Sequence, residues 1–182
     1  MPFFTAWLGV IRLPSPSNSR PARKLATGEV VAGSVGPKKR LEYAVVGDSV
    51  NLAARLESAN KYYGTSVLLP GTTVATLQTP AVLRRIDLIR VKGMSRPTEV
   101  YESLGYHTPA TFPKLDSVIA AYEAGLDRYL RRDWAGAIRH FGDALELAPQ
   151  DRPSRIILDR CRYYQDNPPA DAWNGVWIME QK

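Results

Sequence analysis

A chain of 182 residues and 20.2 kDa, 45% hydrophobic and 23% charged, suffices for one ordinary domain or for a small domain with an appendage, and is too apolar for wholly disordered polypeptide. One cysteine excludes an internal disulfide framework and two histidines 33 positions apart disfavour a zinc site, which suits a reducing, cytoplasmic compartment. The formal charge of +6 is concentrated at the start, where residues 1–40 hold seven basic groups against Glu29 while residues 41–182 hold 17 of each sign, so the body lacks the basic face that nucleic-acid binding requires, and no run of ~20 apolar residues offers a membrane span.

In chain order, residues 1–11 are apolar and aromatic, with no basic residue ahead of the run and no small-residue cleavage pattern behind it, so they do not read as a secretory signal. Residues 12–24 carry three prolines, three serines and no hydrophobic period, which predicts an irregular segment over 1–24 and order from about Leu25. Residues 28–35, with Val30, Val31 and Val35 around Gly33, predict a strand ending in the turn Gly36-Pro37. Residues 41–46 predict a second, giving a hairpin with Lys38, Lys39 and Arg40 near its tip, a triplet that reads as a solvated turn.

At Gly47-Asp48-Ser49 the period changes. Asp48 is placed to cap a helix, Leu52, Leu56, Ala59 and Tyr63 recur at helical spacing, and Gly64 supplies the stop. A short strand at 67–69, a short helix at 72–77 and two strands at 82–91 and 98–104 complete an α+β unit with mostly antiparallel strands, spanning residues 25–106. Helices are predicted at 114–130, 134–148 and 153–165. Gly125, Ala137, Phe141, Ala144 and Pro149 fall on marked positions of the 34-residue tetratricopeptide pattern, but a single such unit is visible. Residues 110–182 therefore read as a helical hairpin with a third helix packed on it or on the sheet. The apolar tail from Trp173 through Met179 is expected to dock on those helices.

Asn51 and Arg55 stand four residues apart near the start of the first long helix, on a stripe about 100° from Leu52, Leu56 and Ala59. An amide and a guanidinium projecting together near a helix N-terminus suit a phosphorylated ligand, because the helix dipole favours an anion and arginine offers planar paired donors. The same pair also fits an ordinary surface or interface contact.

The runs Thr27-Gly28-Glu29-Val30-Val31-Ala32-Gly33-Ser34-Val35-Gly36, Arg40-Leu41-Glu42-Tyr43 and Val46-Gly47-Asp48-Ser49-Val50-Asn51-Leu52-Ala53-Ala54-Arg55-Leu56-Glu57 resemble the C-terminal half of a class III adenylate/guanylate cyclase catalytic domain. Val91-Lys92-Gly93 and Val100-Tyr101 resemble that family's closing strands, and the remainder is similar to the helical tail of bacterial members. The resemblance implies a partial ferredoxin-like sheet and a composite site between two head-to-tail domains. One domain supplies two aspartates for two Mg²⁺ or Mn²⁺ ions, and the other supplies Asn, Arg and Lys. Asn51 corresponds to the residue that orients the ribose of ATP or GTP, Arg55 to the one that stabilises the transferring phosphoryl group, and Lys92 to the one that binds the outer phosphates. The implied partners are a second copy of the chain or a complementary cyclase half.

Two departures qualify this. Ala44 occupies the base-recognition position, where a methyl group cannot distinguish adenine from guanine. Nothing in the sequence corresponds to the half carrying both metal-binding aspartates; Asp48 reads as a helix cap. The expectation is a truncated cyclase fragment that holds no metal, is inactive alone, and leaves an apolar sheet face uncovered. An alternative is a non-enzymatic interaction module acting through the helices and Trp173/Trp177.

Overall fold

The computed structural model describes residues 23–24, 26–28, 30–35, 42–91, 94 and 96–179. Within them, strands β1 (Arg23–Lys24), β2 (Val31–Val35), β3 (Glu42–Val46) and β4 (Val67–Pro70) are joined by helices α1 (Asp48–Tyr63, between β3 and β4) and α2 (Gly71–Val74) to β5 (Leu83–Val91) and β6 (Thr98–Ser103). Helices α3 (Leu115–Leu130), α4 (Trp134–Leu147) and α5 (Arg152–Asp166) follow, and strand β7 (Val176–Met179) comes last. The α+β class and most helix and strand positions agree with the sequence pattern, but the short helix expected at 72–77 is a single turn over Gly71–Val74 and the strand expected from residue 28 begins at Val31. The basic triplet at 38–40 and the opening residues 1–22 lie outside the described residues.

The first long helix forms where its period predicts it. Leu52, Leu56, Ala59 and Tyr63 are buried, and Gly64 ends the helix in the left-handed region at φ 71°, its N–H donating to Asn60 O at 2.8 Å. The start differs from expectation: Gly47, in extended conformation, is the N-cap, and Asp48 is the first helical residue, with no side-chain capping bond. Asp48 is exposed, so its carboxylate complements the helix dipole rather than a backbone donor.

β2 and β3 form the expected antiparallel hairpin, with Val31 opposite Val46 and Val35 opposite Glu42. The other strands make one five-stranded sheet in the order β1-β4-β6-β5-β7, with antiparallel pairing at its centre and parallel pairing at both outer strands. Two of these strands were not anticipated. Arg23 and Lys24, assigned to the irregular start, run parallel to Val67 and Leu68. The tail also does more than dock on helices, since Val176–Met179 pairs with Leu88–Val91 and extends the sheet.

A bulge in β5 decides which of its side chains face the helices. Up to that point Arg84 and Ile86 are buried; after the register shift between Arg85 and Asp87 the buried set becomes Asp87, Ile89 and Val91. One extra residue thus turns two charged side chains, three positions apart, to the same interior. That interior is a single core in which Leu56, Leu68, Ile86 and Val100 join Tyr122, Phe141 and Ile157 from α3–α5. The helices cover the sheet on this side. On the other side β5 and β6 present Arg85, Arg90, Glu99 and Tyr101, with Arg85 paired to Glu99 at 2.9 Å. The bare apolar face expected from the sequence is not found in these two strands, whose outer side carries these polar and charged side chains beside half-buried Leu88.

The helical region builds itself by close packing and side-chain caps. Gly125 of α3 lets the Phe141 ring approach so near that an added Cβ would lie 3.0 Å from it. Asp133 caps α4 through Gly136 N, and Asp151 caps α5 through Ser154 N. Trp173 packs with ring centroids 5.3–5.7 Å from Tyr129, Trp134 and Tyr164.

Candidate functional site

Two of the four residues singled out by the sequence are brought together. Asn51 and Arg55 lie one turn apart in the N-terminal half of α1, Asn51 exposed and Arg55 half-buried, on a stripe distinct from the buried Leu52, Leu56 and Ala59. Among the described residues Arg55 Nη1 is buried with no hydrogen-bond partner. A guanidinium nitrogen in that state carries the cost of desolvation with nothing to offset it, and an anion at this position would remove that cost.

The chain before β2 closes against this end of the helix. A Cβ on Gly28 would sit 2.8 Å from Ser49 Cβ, so only glycine permits this approach. Thr27 N and Thr27 Oγ1 both donate to Thr73 Oγ1 of α2, at 2.9 and 2.8 Å, pinning the segment between α1 and α2. Ala44 is placed by its backbone in β3 opposite Gly33. Lys92 follows the last residue of β5 and lies outside the described residues.

A second constellation, which the sequence reading missed, joins the sheet to the helices through buried charge. Arg84 Nη1 and Nη2 donate to the two oxygens of Asp151 at 2.8 and 2.9 Å, and Nη2 also donates to Glu102 at 2.6 Å. Beyond the bulge, Asp87 Oδ2 accepts from Tyr63 Oη at 2.6 Å and from Arg160 Nη1 at 2.7 Å, and Arg160 Nη1 also donates to Tyr129 Oη at 3.2 Å. Burial would lower the pKa of Arg84, but Glu102 and Asp151 outweigh it and hold the group above its ordinary range. Burial likewise pushes Glu102 upward, an effect that Arg84 only partly offsets. The available signal was charge at core positions: Glu102 lies between Val100 and Leu104 in an alternating strand, and Arg160 follows Ile157 by one helical step.

These carboxylates do not fit a divalent-ion site. Asp87, Glu102 and Asp151 are each bonded to an arginine, and among the described residues no three of His, Cys, Asp and Glu come together as metal ligands. Nor is any helix among them long and apolar enough to cross a membrane.

Residues 25–103 match the adenylate and guanylate cyclase catalytic domain. This cyclase-like segment contains Ala44, Asn51, Arg55 and Lys92. The chain is 32% identical over 139 residues to the terminal-differentiation-specific adenylate cyclase of Dictyostelium discoideum, which covers 74% of this chain and 6% of that protein. It is 47% identical over 79 residues to adenylate cyclase 1 of Rhizobium meliloti, covering 43% of this chain and 12% of that one. At 139 residues, the first match is too long to end at Ser103 and reaches into the helical region. Among solved structures, the adenylyl cyclase CyaB from P. aeruginosa aligns with a TM-score of 0.39 at 30% identity, over 47% of this chain and 44% of that one. The chain spans less than a fifth of the length of these curated relatives.

Proposed function

We propose that the cyclase-like segment is the nucleotide-gripping half of a composite class III nucleotidyl cyclase site, whose product would be a cyclic nucleotide and pyrophosphate from ATP or GTP. The observation that carries this reading is the Asn51/Arg55 stripe at the start of α1, with Asn51 exposed and Arg55 Nη1 without a partner among the described residues, inside the matched residues. In this reading Asn51 orients the ribose so that its 3′-hydroxyl lies in line with the α-phosphate. Arg55 neutralises charge on the transferring phosphoryl group, and Lys92 holds the outer phosphates. Phosphoryl transfer depends on positioning and charge neutralisation more than on covalent chemistry, and one well-placed arginine can supply on the order of 10³ in rate.

Family members use Mg²⁺ or Mn²⁺ held by two aspartates. The described carboxylates do not provide such a pair, so no step is assigned to a metal here, and the acidic half of the site comes from another polypeptide segment or partner. The chain alone then forms no cyclic nucleotide. Ala44 leaves base preference to contacts other than the one usually made at that position. The α3–α4 hairpin reads as one tetratricopeptide-like unit, supported by the fit of Gly125 against Phe141. Its use as a partner-binding surface through Trp173 and Trp177 is disfavoured, because both rings are engaged within the molecule.

The test is to assay the purified chain with ATP or GTP and Mn²⁺ for cyclic AMP and cyclic GMP, alone and mixed with a cyclase domain whose own Asn/Arg pair has been removed but whose aspartates are intact. Product only in the mixture, lost on Arg55→Ala, is expected. Arg55-dependent turnover by the chain alone would overturn the half-site reading.

A further inference from the structure

The stripe that carries Asn51 and Arg55 continues along α1 to Tyr62, seven residues beyond Arg55 and about 10 Å further along the axis at 1.5 Å per residue. Tyr62 is held directly from outside the cyclase-like segment, and its neighbour Tyr63 through Asp87, a residue of that segment whose partner lies outside it. The Tyr62 ring stacks on Trp177 of β7 at 6.4 Å and 22°. Tyr63 Oη donates to Asp87, whose Oδ2 is shared with Arg160 of α5.

Both attachments meet at one side chain. The Arg160 guanidinium carbon lies 3.8 Å from the Trp177 ring centroid and 5.8 Å from that of Tyr129, while Nη1 bonds Asp87 and the Tyr129 hydroxyl. Arg160 is 5% exposed and the Asp87 side chain 0%. A charge this deep is retained only in fixed geometry, since displacing either partner leaves the other buried and uncompensated. We infer that Arg160 is a positioning residue: through Asp87–Tyr63 and Trp177–Tyr62 it fixes the placement of α1, and with it the Asn51/Arg55 face. The helical region thereby acts on the nucleotide-gripping half without touching the ligand. The link to nucleotide rests on the function proposed above; the clamp on α1 rests on the packing alone.

Amide hydrogen exchange and ATP binding by the full chain test this with four proteins: unmodified, Arg160→Met, Arg160→Lys and Tyr63→Phe. In Arg160→Met the α1 amides should exchange at least tenfold faster, those of α3 and α4 should change less than threefold, and ATP affinity should fall at least fivefold. A lysine ammonium can replace the nitrogen that serves Asp87 but not the planar stack on Trp177, so Arg160→Lys should fall between Arg160→Met and the unmodified chain in both readouts. Tyr63→Phe removes one hydroxyl without altering packing and decides the matter if Arg160→Met fails to fold; it should loosen α1 selectively. Exchange that rises equally in all helices, or α1 protection unchanged in Tyr63→Phe, overturns the inference. Unmodified chain that binds no ATP while α1 responds as stated overturns the nucleotide reading and leaves the clamp standing.

Discussion

Replacing Asp151 by alanine removes a helix cap, the acceptor of the Ser154 hydroxyl and one side of a buried ion pair at once, and their sum can be worked from the geometry. Its carboxylate caps α5 through Ser154 N at 3.1 Å, a contact worth about 1 kcal/mol. It also takes both terminal nitrogens of Arg84, at 2.8 and 2.9 Å, in a pair whose side chains are 1% and 4% exposed. Breaking a buried pair by deleting one partner costs about 3–5 kcal/mol when the remaining charge is left alone. Arg84 is not left alone, because Glu102 still accepts from it at 2.6 Å, and losing Asp151 also relieves the repulsion between the two carboxylates. The pair therefore contributes below that range, and the whole substitution should cost about 3 kcal/mol. With total stabilities of about 5–15 kcal/mol for ordinary domains, that is a substantial fraction. The midpoint of thermal unfolding should fall by about 6–12 °C, at 2–4 °C per kcal/mol for a chain of this length. Urea unfolding followed by far-ultraviolet circular dichroism gives the difference directly. Asp127→Ala, which removes an exposed pair with Arg131 at 3.0 Å, is the control and should stay within about 0.5 kcal/mol. A loss below about 1 kcal/mol in Asp151→Ala would refute the account of sheet and helices locked together by buried charge.

Gly64→Ala forces a Cβ into a left-handed conformation and against Arg152 Cδ, 2.5 Å away, and should cost about 1–2 kcal/mol by urea midpoint. Gly125→Ala gains about 1 kcal/mol of helix propensity but presses on the fully buried Phe141 ring, a strain of about 1–3 kcal/mol, so calorimetry should show net destabilisation. Burial pushes the Cys161 thiol up to about 12, so alkylation at pH 8 should proceed only as fast as the protein opens and reach completion in denaturant. Glu102 holds its proton more tightly folded than unfolded, so its contribution is present at low pH and is lost as pH rises through the window above its ordinary 4.5; Glu102→Gln should flatten the urea midpoint across that window.

The parts legible in the sequence are those with local causes. α1 is fixed by Leu52, Leu56, Ala59 and Tyr63 at helical spacing and by Gly64, and Asn51 and Arg55 fall on one stripe by arithmetic alone. The unread parts depend on residues far apart in the chain. Arg84 meets Asp151 across 67 positions and Asp87 meets Arg160 across 73, and no local period announces either pairing. The β5 bulge compounds this, since strict alternation would not turn both Arg84 and Asp87 inward. The tail was read as a docking segment because its composition shows that it is buried and says nothing about which backbone it pairs with. Asp48 was misassigned for a smaller reason, as aspartate is favoured both at the cap and in the first turn, and Gly47 takes the former place.

The last strand also replaces part of a long sheet edge with a short one. β5 is nine residues long, and β7 takes up the hydrogen-bonding groups of its end from Leu88 to Val91. A protein shorn of residues 176–182 would offer that stretch as a template to any neighbour, with Leu88 and Ile89 at the seam. Solubility at high concentration, rather than catalysis, is where such a truncation would first be felt, as edge-to-edge ribbons that a four-residue outer strand makes harder to start than the bare end of β5.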